Sequence, residues 1–229
     1  HQLFNPRHLL LNAIYKEIVS EQPEQAYFNI LLGRILNVES KMSRWSPAIG
    51  HDLALDVFYN MALNTFYNYG CRASISASRD LFEEPLTKTH NIRTNYTVTN
   101  CSAKDIDQIC DYWITDPPYA DAVHYHEITE YFIAWLRKAP PVPFNEWTWD
   151  SRRALAIKGS GDDFRKGMID SYTAMTKHMP DNGMQCVMFT HQDTGVWSDM
   201  VGIFWAAGLQ VVAAWYIATE TSSELKKGG

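Results

Sequence analysis

Short apolar runs alternate with segments of helical periodicity along the chain from Tyr96 onward. Such alternation of strand and helix is typical of a mainly parallel sheet whose two faces are covered by helices. We therefore expect an α/β fold, and no other feature limits the possible architectures as strongly. The predicted strands are 96–100, 112–115, 184–191 and 209–219, and the predicted helices are 126–138, 162–179 and 196–208.

The first third of the chain has a helical pattern instead. A helix that begins with proline is predicted over 5–19, and further helices are predicted over 24–38 and 51–68. The expected organisation is a helical segment at 1–70 that packs on the sheet, an irregular connection at 71–95, and an α/β region at 96–229 with a Pro- and Trp-rich lid loop at about 139–161.

The composition excludes several classes of protein. No apolar run is long enough to span a bilayer, and residues 1–20 lack the order of basic, apolar and small residues found in secretory signals. Four cysteines without a C-x-x-C pair are too few for a disulfide framework. The net charge of −6 argues against a uniformly basic nucleic-acid binder and leaves room for a local basic groove. We expect a cytoplasmic protein with no membrane partner.

One short motif follows directly on a predicted strand. The run YWIT leads into Asp116, Pro117, Pro118 and Tyr119, and the two prolines end the ladder because neither has an N–H to donate. Ligands of open α/β sheets bind outside the carboxyl ends of the strands, where this motif lies. The motif predicts a functional site, and the alternative is a tight turn in which Asp116 caps the next helix.

The tetrapeptide DPPY after a strand resembles the catalytic motif of amino-group DNA methyltransferases. Those enzymes transfer a methyl group from S-adenosylmethionine to N6 of adenine or N4 of cytosine. A wider resemblance, to large prokaryotic adenine-specific DNA methylases that contain a zinc ribbon and often lie beside phage-defence genes, extends from Phe4 to Gly229. It implies a Rossmann-like class I methyltransferase sheet, complete or incomplete. The stretches that carry it are FNPRHLLL, VTNCSA, WTWDSRRALAIKGSG, PDNGMQCVMFTHQDTGVW and WAAGLQVVAAWYI.

The resemblance implies that Asp116, Pro117 and Tyr119 are catalytic. The Asp116 carboxylate and the Pro117 carbonyl would each accept a hydrogen bond from the exocyclic amino group, at about 1.5–3 kcal/mol each. Tyr119 would stack on the flipped-out base and contribute about 1–3 kcal/mol, the alternative being a core ring behind the turn. Asp116 and Pro118 would also border S-adenosylmethionine.

The resemblance also implies cofactor contacts at two other places. Asn100 and Ser102 would border the adenine of the cofactor, and the alternative is an ordinary helix cap at Ser102. Phe4 and Asn5 belong to a segment that packs over the cofactor in several such enzymes. The alternative there is a surface helix that begins with proline.

Two more segments are candidates for contact with DNA. Thr190 and His191 follow another predicted strand, so in a parallel sheet they would share a rim with Asp116 and could border the flipped base. Taken alone, a loop histidine and a helix cap at Asp193 are the simpler descriptions. Arg152 and Arg153 suit a lid that meets phosphates, or else a plain surface loop.

Two features of the resembled family are not found in the sequence. It contains no Gly-rich turn of the F-x-G-x-G kind for the methionine part of the cofactor, and no set of four cysteines spaced for a zinc ribbon. We therefore expect no metal site. We also expect a C-terminal piece whose Gly-rich turn comes from a missing N-terminal segment or a partner subunit. A different cofactor-binding segment and a loss of activity are the alternatives.

The predicted function is S-adenosylmethionine-dependent methylation of DNA, most simply at adenine N6, in restriction-modification or phage defence. Methylation of cytosine N4 is an alternative because DPPY occurs in both kinds of enzyme. Methylation of RNA or of a glutamine amide is disfavoured because those relatives have Asn at the position of Asp116. From another class, a non-catalytic DNA-binding or scaffold subunit of a modification or phage-defence complex would explain the missing Gly-rich turn.

Overall fold

The computed structural model describes residues 2–46, 53–59, 62–64, 95–118, 125–150, 157 and 161–217. They belong to two compact units. The first unit comprises His1–Asn100 and Tyr125–Ala154, and the second comprises Cys101–His124 and Leu155–Gly229. The chain therefore leaves the first unit after Asn100, returns to it at Tyr125, and leaves it again after Ala154.

The described part of the first unit contains three α-helices. Helix α1 spans Pro6–Ser20, α2 spans Gln25–Glu39 and α3 spans Tyr125–Leu136. The start of α1 is fixed by a side-chain cap, because Asn5 Oδ1 accepts a hydrogen bond from the Arg7 N–H at 2.9 Å. These bounds confirm three of the helices predicted from the sequence.

An apolar core holds α3 in the first unit. Phe4, Leu32 and Leu36 are buried, and the Phe4 ring lies against Tyr131 and Trp135 of α3, with ring centroids 5.8 and 5.4 Å away. Aromatic rings bury large apolar areas and dominate the energetics of such clusters. The core therefore joins the start of the chain to a helix from much later in the sequence.

A two-stranded antiparallel sheet lies where the sequence predicts a helix over 51–68. Strand β1 spans Arg44–Ser46 and pairs with β2, Leu53–Leu55. Within the described residues the helix prediction is wrong, because a short apolar run can form a strand when a partner lies alongside. The backbone after β2 also has positive φ at Asp56 and Phe58, 46° and 71°, which no right-handed helix contains.

The second unit contains a parallel pair of strands with two helices. Strand β3 spans Tyr112–Thr115, α4 spans Asp162–Lys177, β4 spans Met184–Val187 and α5 spans Thr194–Ala206. In the register of the pair, Thr115 lies opposite Val187. The carboxyl ends of both strands therefore lie at one edge. The structure confirms the predicted strand at 112–115, the parallel pairing and the helices predicted over 162–179 and 196–208, the second of which begins two residues earlier. The second strand ends at Val187, earlier than predicted.

Helices α4 and α5 cover one face of the parallel pair. Met168 and Tyr172 of α4 and Ile203 of α5 are buried there, and Trp113 of β3 packs against them. The opposite face is open, since Ile114 is 70% exposed. For the described part of the chain, the prediction of helices on both faces is wrong, because the strands alternate between half-buried and exposed residues.

Two predicted strands do not form in the described residues. Residues 95–100 and 210–217 have no strand assignment, and Tyr96 and Tyr216 are 79% and 92% exposed. A strand needs a neighbour to exchange backbone hydrogen bonds, so apolar composition alone was not sufficient. The sheets of the described residues have two strands each. The fold thus has α/β character with a small parallel sheet, and the Rossmann-like arrangement stays a prediction.

Other expectations about organisation fall partly on described residues. The predicted lid loop is described from 139 to 150, where a short 3₁₀ turn, Phe144–Glu146, brings the Trp147 ring to 4.7 Å from the Phe144 ring. The predicted connection at 71–95 lies outside the described residues except for its last residue. Among the described helices, none is both long enough and apolar enough to cross a bilayer.

Candidate functional site

The parallel pair of the second unit places Asp116 at the carboxyl end of β3. The Met188 N–H donates to the Thr115 carbonyl at 2.8 Å, so the pairing extends one residue past β4 and ends where Asp116 begins. Pro117 and Pro118 follow and are half-buried, whereas Asp116 is exposed. Because proline cannot donate to a ladder, the chain leaves the sheet here. The result is a carboxylate accessible to solvent at the sheet edge where the sequence predicts a site.

A partly buried pair of hydroxyl groups lies directly behind this carboxylate. Thr115 precedes Asp116 on the inner face of β3, and its Oγ1 is 3.1 Å from the hydroxyl of Tyr172 on α4. Tyr172 is 2% exposed. A buried hydroxyl without a partner would cost about 1–3 kcal/mol, so the two side chains satisfy each other.

The phenol of Tyr172 is electrostatically sensitive to Asp116. Burial is the main cause that raises the pKa of Tyr172 above its usual value of 10.0, the Thr115 hydrogen bond acts in the opposite direction, and the negative charge of Asp116 raises it further. Of the three causes, the Asp116 charge is the smallest. Asp116 at the exposed end of β3 therefore interacts electrostatically with Tyr172 in the core of the second unit.

The carboxyl end of β4 carries the two residues predicted to contact the base. Thr190 is exposed, and His191 Nδ1 accepts the Asp193 N–H at 3.0 Å. Asp193 caps α5 by accepting the Gly195 N–H at 2.7 Å. The simpler descriptions of this segment, a hydrogen-bonded loop histidine and a capping aspartate, are confirmed. A base contact by Thr190 or His191 stays a prediction.

Trp197, the first tryptophan of α5, contacts the loop that follows β4. Trp197 Nε1 donates to the His191 carbonyl at 2.9 Å, and its ring lies 5.1 Å from the Phe189 ring in an edge-to-face arrangement. Trp197 therefore fixes the loop after β4 at the same edge of the sheet as Asp116.

The residues predicted to border the adenine of the cofactor lie before β3. Ser102 is half-buried and precedes a 3₁₀ turn, Ala103–Asp105, whose Asp105 N–H donates to the Ser102 carbonyl at 2.9 Å. Ser102 makes no side-chain cap there. Asn100 is exposed and is the last residue of its segment in the first unit. The predicted cofactor contacts of both residues stay predictions.

Phe4 and Asn5 belong to the first unit, whereas Asp116 belongs to the second. The Phe4 ring is buried in the core of the first unit, and the Asn5 side chain caps α1. The helix that begins with proline, the alternative to a cofactor segment, is therefore present. A cofactor contact by either residue stays a prediction.

The remaining site predictions fall on residues that the structure does not describe. Tyr119, Arg152 and Arg153 lie outside the described ranges. Within those ranges, no three His, Cys, Asp or Glu side chains come together in a way that could hold a metal ion.

Sequence reasoning did not assign a role to Thr115 or Tyr172. One signal was available, because a threonine on the inner face of a strand needs a hydroxyl partner, and Tyr172 occupies the apolar face of the predicted helix over 162–179. The spacing alone could not pair them, since 57 positions separate them in the sequence and α3 lies in between.

Comparison with protein-family models, with curated proteins and with solved structures finds no match to this chain.

Proposed function

We propose that this protein is an S-adenosylmethionine-dependent DNA methyltransferase that acts on the exocyclic amino group of a flipped base, most simply adenine N6. The observation that carries the proposal is the exposed Asp116 carboxylate at the carboxyl end of a parallel strand, followed by Pro117 and Pro118. Ligand sites of parallel α/β sheets lie at that edge. A phage-defence or restriction-modification context, suggested by the sequence, belongs to the same proposal.

The chemistry needs two hydrogen-bond acceptors at one point. An exocyclic amino nitrogen shares its lone pair with the ring, so it is a weak nucleophile while it is planar. The Asp116 carboxylate accepts from one N–H and the Pro117 carbonyl accepts from the other, which favours the pyramidal nitrogen. Bound S-adenosylmethionine would give its methyl group to this nitrogen as the C–S bond breaks and would leave as S-adenosylhomocysteine. Asp116 or water would take the proton that the methylated nitrogen loses, so that no covalent enzyme intermediate is needed.

The residues at the edge of β3 are chemically suited to the methyl donor. S-adenosylmethionine supplies an electrophilic methyl group on a positively charged sulfur, and the exposed carboxylate of Asp116 is complementary to that charge. The half-buried Pro118 offers an apolar surface beside it. In the proposal, Ser102 of the same unit supplies a further contact, together with a Gly-rich turn from another segment or subunit.

Replacing the carboxylate tests the proposal. Asp116→Ala should lower methyl transfer to DNA by at least about a hundredfold, because one of the two acceptors is lost. Asp111→Ala is the matched control, since Asp111 is an exposed carboxylate at the opposite end of the same strand. Unchanged transfer in Asp116→Ala would remove Asp116 from the mechanism.

Two measurements separate the alternatives. Mass spectrometry of the digested DNA product distinguishes N6-methyladenine from N4-methylcytosine and so decides the base. Isothermal titration with S-adenosylmethionine asks whether the chain binds the methyl donor by itself. DNA binding without donor binding or transfer, even with the partner segment present, would favour the non-catalytic scaffold subunit.

A further inference from the structure

The hydroxyl pair of Thr115 and Tyr172 is placed to control the Asp116 carboxylate. The two oxygens are 3.1 Å apart, and Tyr172 is 2% exposed. Thr115 is the last residue of β3, so its side chain fixes the strand at the point where Asp116 leaves it. Successive side chains of a strand point to opposite faces, and anchoring Thr115 inward therefore holds Asp116 outward.

Tyr172 is itself held in place by several contacts. Its ring meets the Phe204 ring of α5 edge to face, with centroids 5.2 Å apart. One turn further along α4, Thr176 Oγ1 donates to the Tyr172 carbonyl at 2.8 Å and accepts from Gln185 Nε2 of β4 at 3.2 Å. Helix α4 is therefore hydrogen-bonded to β3 through Tyr172 and to β4 through Thr176.

We propose that Tyr172 is a positioning residue for Asp116, acting through its hydrogen bond to the Thr115 hydroxyl. The bond sets the backbone at the end of β3, and thereby aims the Asp116 carboxylate and the Pro117 carbonyl at one amino group. The catalytic part of this inference rests on the proposed function, and the structural part does not. A small misplacement of reacting groups is costly in rate, so a buried bond behind the carboxylate has a catalytic effect.

The structural part is tested without any reaction. The side-chain carboxyl resonance of Asp116 is observed by 13C NMR in the intact protein and assigned by its loss in Asp116→Asn. We expect Tyr172→Phe and Thr115→Val each to move or broaden this resonance. Thr115→Ser keeps the hydroxyl and should restore the wild-type position. Ser171→Ala is the matched control, because it removes a hydroxyl from the same helix whose hydrogen bond goes to the Gly167 carbonyl and not to Tyr172 or Thr115.

The catalytic part is tested by methyl transfer to DNA with the same variants. We expect kcat to fall about tenfold in Tyr172→Phe and in Thr115→Val, with KM for DNA and for S-adenosylmethionine unchanged. The double variant should be no worse than either single variant, since both remove one bond. Its thermal stability should return toward wild type, because an apolar pair of the same shape leaves no unpaired hydroxyl, while kcat stays low.

The outcomes are distinct. An Asp116 resonance at its wild-type position in both hydroxyl-deleting variants overturns the proposal, whatever the activity. Recovery of wild-type kcat in the double variant also overturns it, since a purely structural role predicts that activity follows stability. If the Asp116 resonance shifts in the two variants but the wild-type protein transfers no methyl group, the positioning of Asp116 is supported and the proposed function is contradicted.

Discussion

Two neighbours, Thr115 and Asp116, shift the pKa of the Tyr172 phenol in opposite directions. Its pKa is raised mainly by burial, lowered by the Thr115 hydrogen bond and raised by the Asp116 charge. The pKa of Tyr172 is therefore a measurable quantity that depends on how Thr115 and Asp116 are placed at the end of β3. Substituting the exposed Asp116 should therefore change the pKa of the buried Tyr172.

Substituting the two neighbours should move the pKa of Tyr172 in opposite senses. Asp116→Asn removes a negative charge that disfavours the phenolate, so the pKa should fall. Thr115→Val removes a hydrogen bond that favours the phenolate, so the pKa should rise. The measurement is a pH titration followed by NMR with 13C at the tyrosine ζ carbon.

Asp111→Asn is the control for charge in that titration. Asp111 directly precedes β3, a strand length of roughly 13–17 Å from its carboxyl end, where screening by solvent is strong. A shift as large as that of Asp116→Asn would show that the effect is not local to the end of the strand.

At the element scale, the turn before β4 depends on a glycine. A Cβ built on Gly183 would lie 3.0 Å from the Pro180 carbonyl oxygen and 3.1 Å from that of Asp111, and 2.2 Å from Met179 Cγ. The Gly183 N–H also donates to the Pro180 carbonyl at 2.8 Å, which closes the turn between α4 and β4. The backbone of β4 can approach the start of β3 because this residue has no side chain.

We expect Gly183→Ala to lower the free energy of unfolding by about 1–3 kcal/mol, the usual cost of forcing a methyl group into packed backbone. Gly202→Ala on α5 is the matched variant, since nothing lies within 4 Å of its Cβ. An alanine inside a helix should stabilise by up to about 1 kcal/mol. Urea denaturation measures both, and equal effects would contradict the close approach at Gly183.

Local chemistry explains which elements could be predicted from the sequence. The helix beginning at Pro6 could be predicted because its capping residue, Asn5, directly precedes it in the sequence. Strand β3 could be predicted because prolines follow it and end the strand. Strands β1 and β2 could not be predicted, because three-residue runs acquire their structure from each other. The same argument explains residues 210–217, whose apolar composition predicts a strand although no partner pairs with them in the described part of the chain.

The candidate site was predictable to a similar degree. The position of Asp116 at the carboxyl end of a parallel strand follows from the motif and the alternation of elements, and the structure confirms it. The bond between Thr115 and Tyr172 could not be predicted, because it joins residues on different elements whose packing the sequence does not specify. Contacts between residues far apart in the sequence cannot be predicted from local sequence patterns.

At the scale of the whole molecule, each unit contains a tyrosine whose pKa is raised mainly by burial, Tyr15 being partly buried and Tyr172 fully buried. Burial, with a smaller contribution from Tyr27, raises the pKa of Tyr15 from 10.0 to about 12, and burial is also the main cause of the raised pKa of Tyr172. An unfolded tyrosine loses its proton near pH 10, so above that pH the unfolded chain binds fewer protons than the folded one. The contribution of Tyr15 to the free energy of unfolding is therefore complete below about pH 10 and is lost as the pH rises toward 12.

This alkaline sensitivity predicts the behaviour of Tyr15→Phe. The variant should be less stable than wild type at neutral pH, because the Tyr15 hydroxyl donates to the Phe28 carbonyl at 2.9 Å. The difference should shrink as the pH rises from about 10 to 12, since phenylalanine has no proton to lose. Urea denaturation over that range measures it, and Tyr216→Phe, whose ring is exposed, is the control. A difference independent of pH would contradict the assignment.

The open face of the parallel pair also gives the protein a natural attachment point for a spectroscopic label. Cys186 is an exposed thiol on β4, and its register partner is Ile114, two residues before Asp116. A nitroxide or fluorophore attached to this sulfur, with the other cysteines changed to serine, would sit about 7 Å along the strand from the level of Asp116. Its line shape or emission would then test whether a nucleotide or a methyl donor binds at the end of β3.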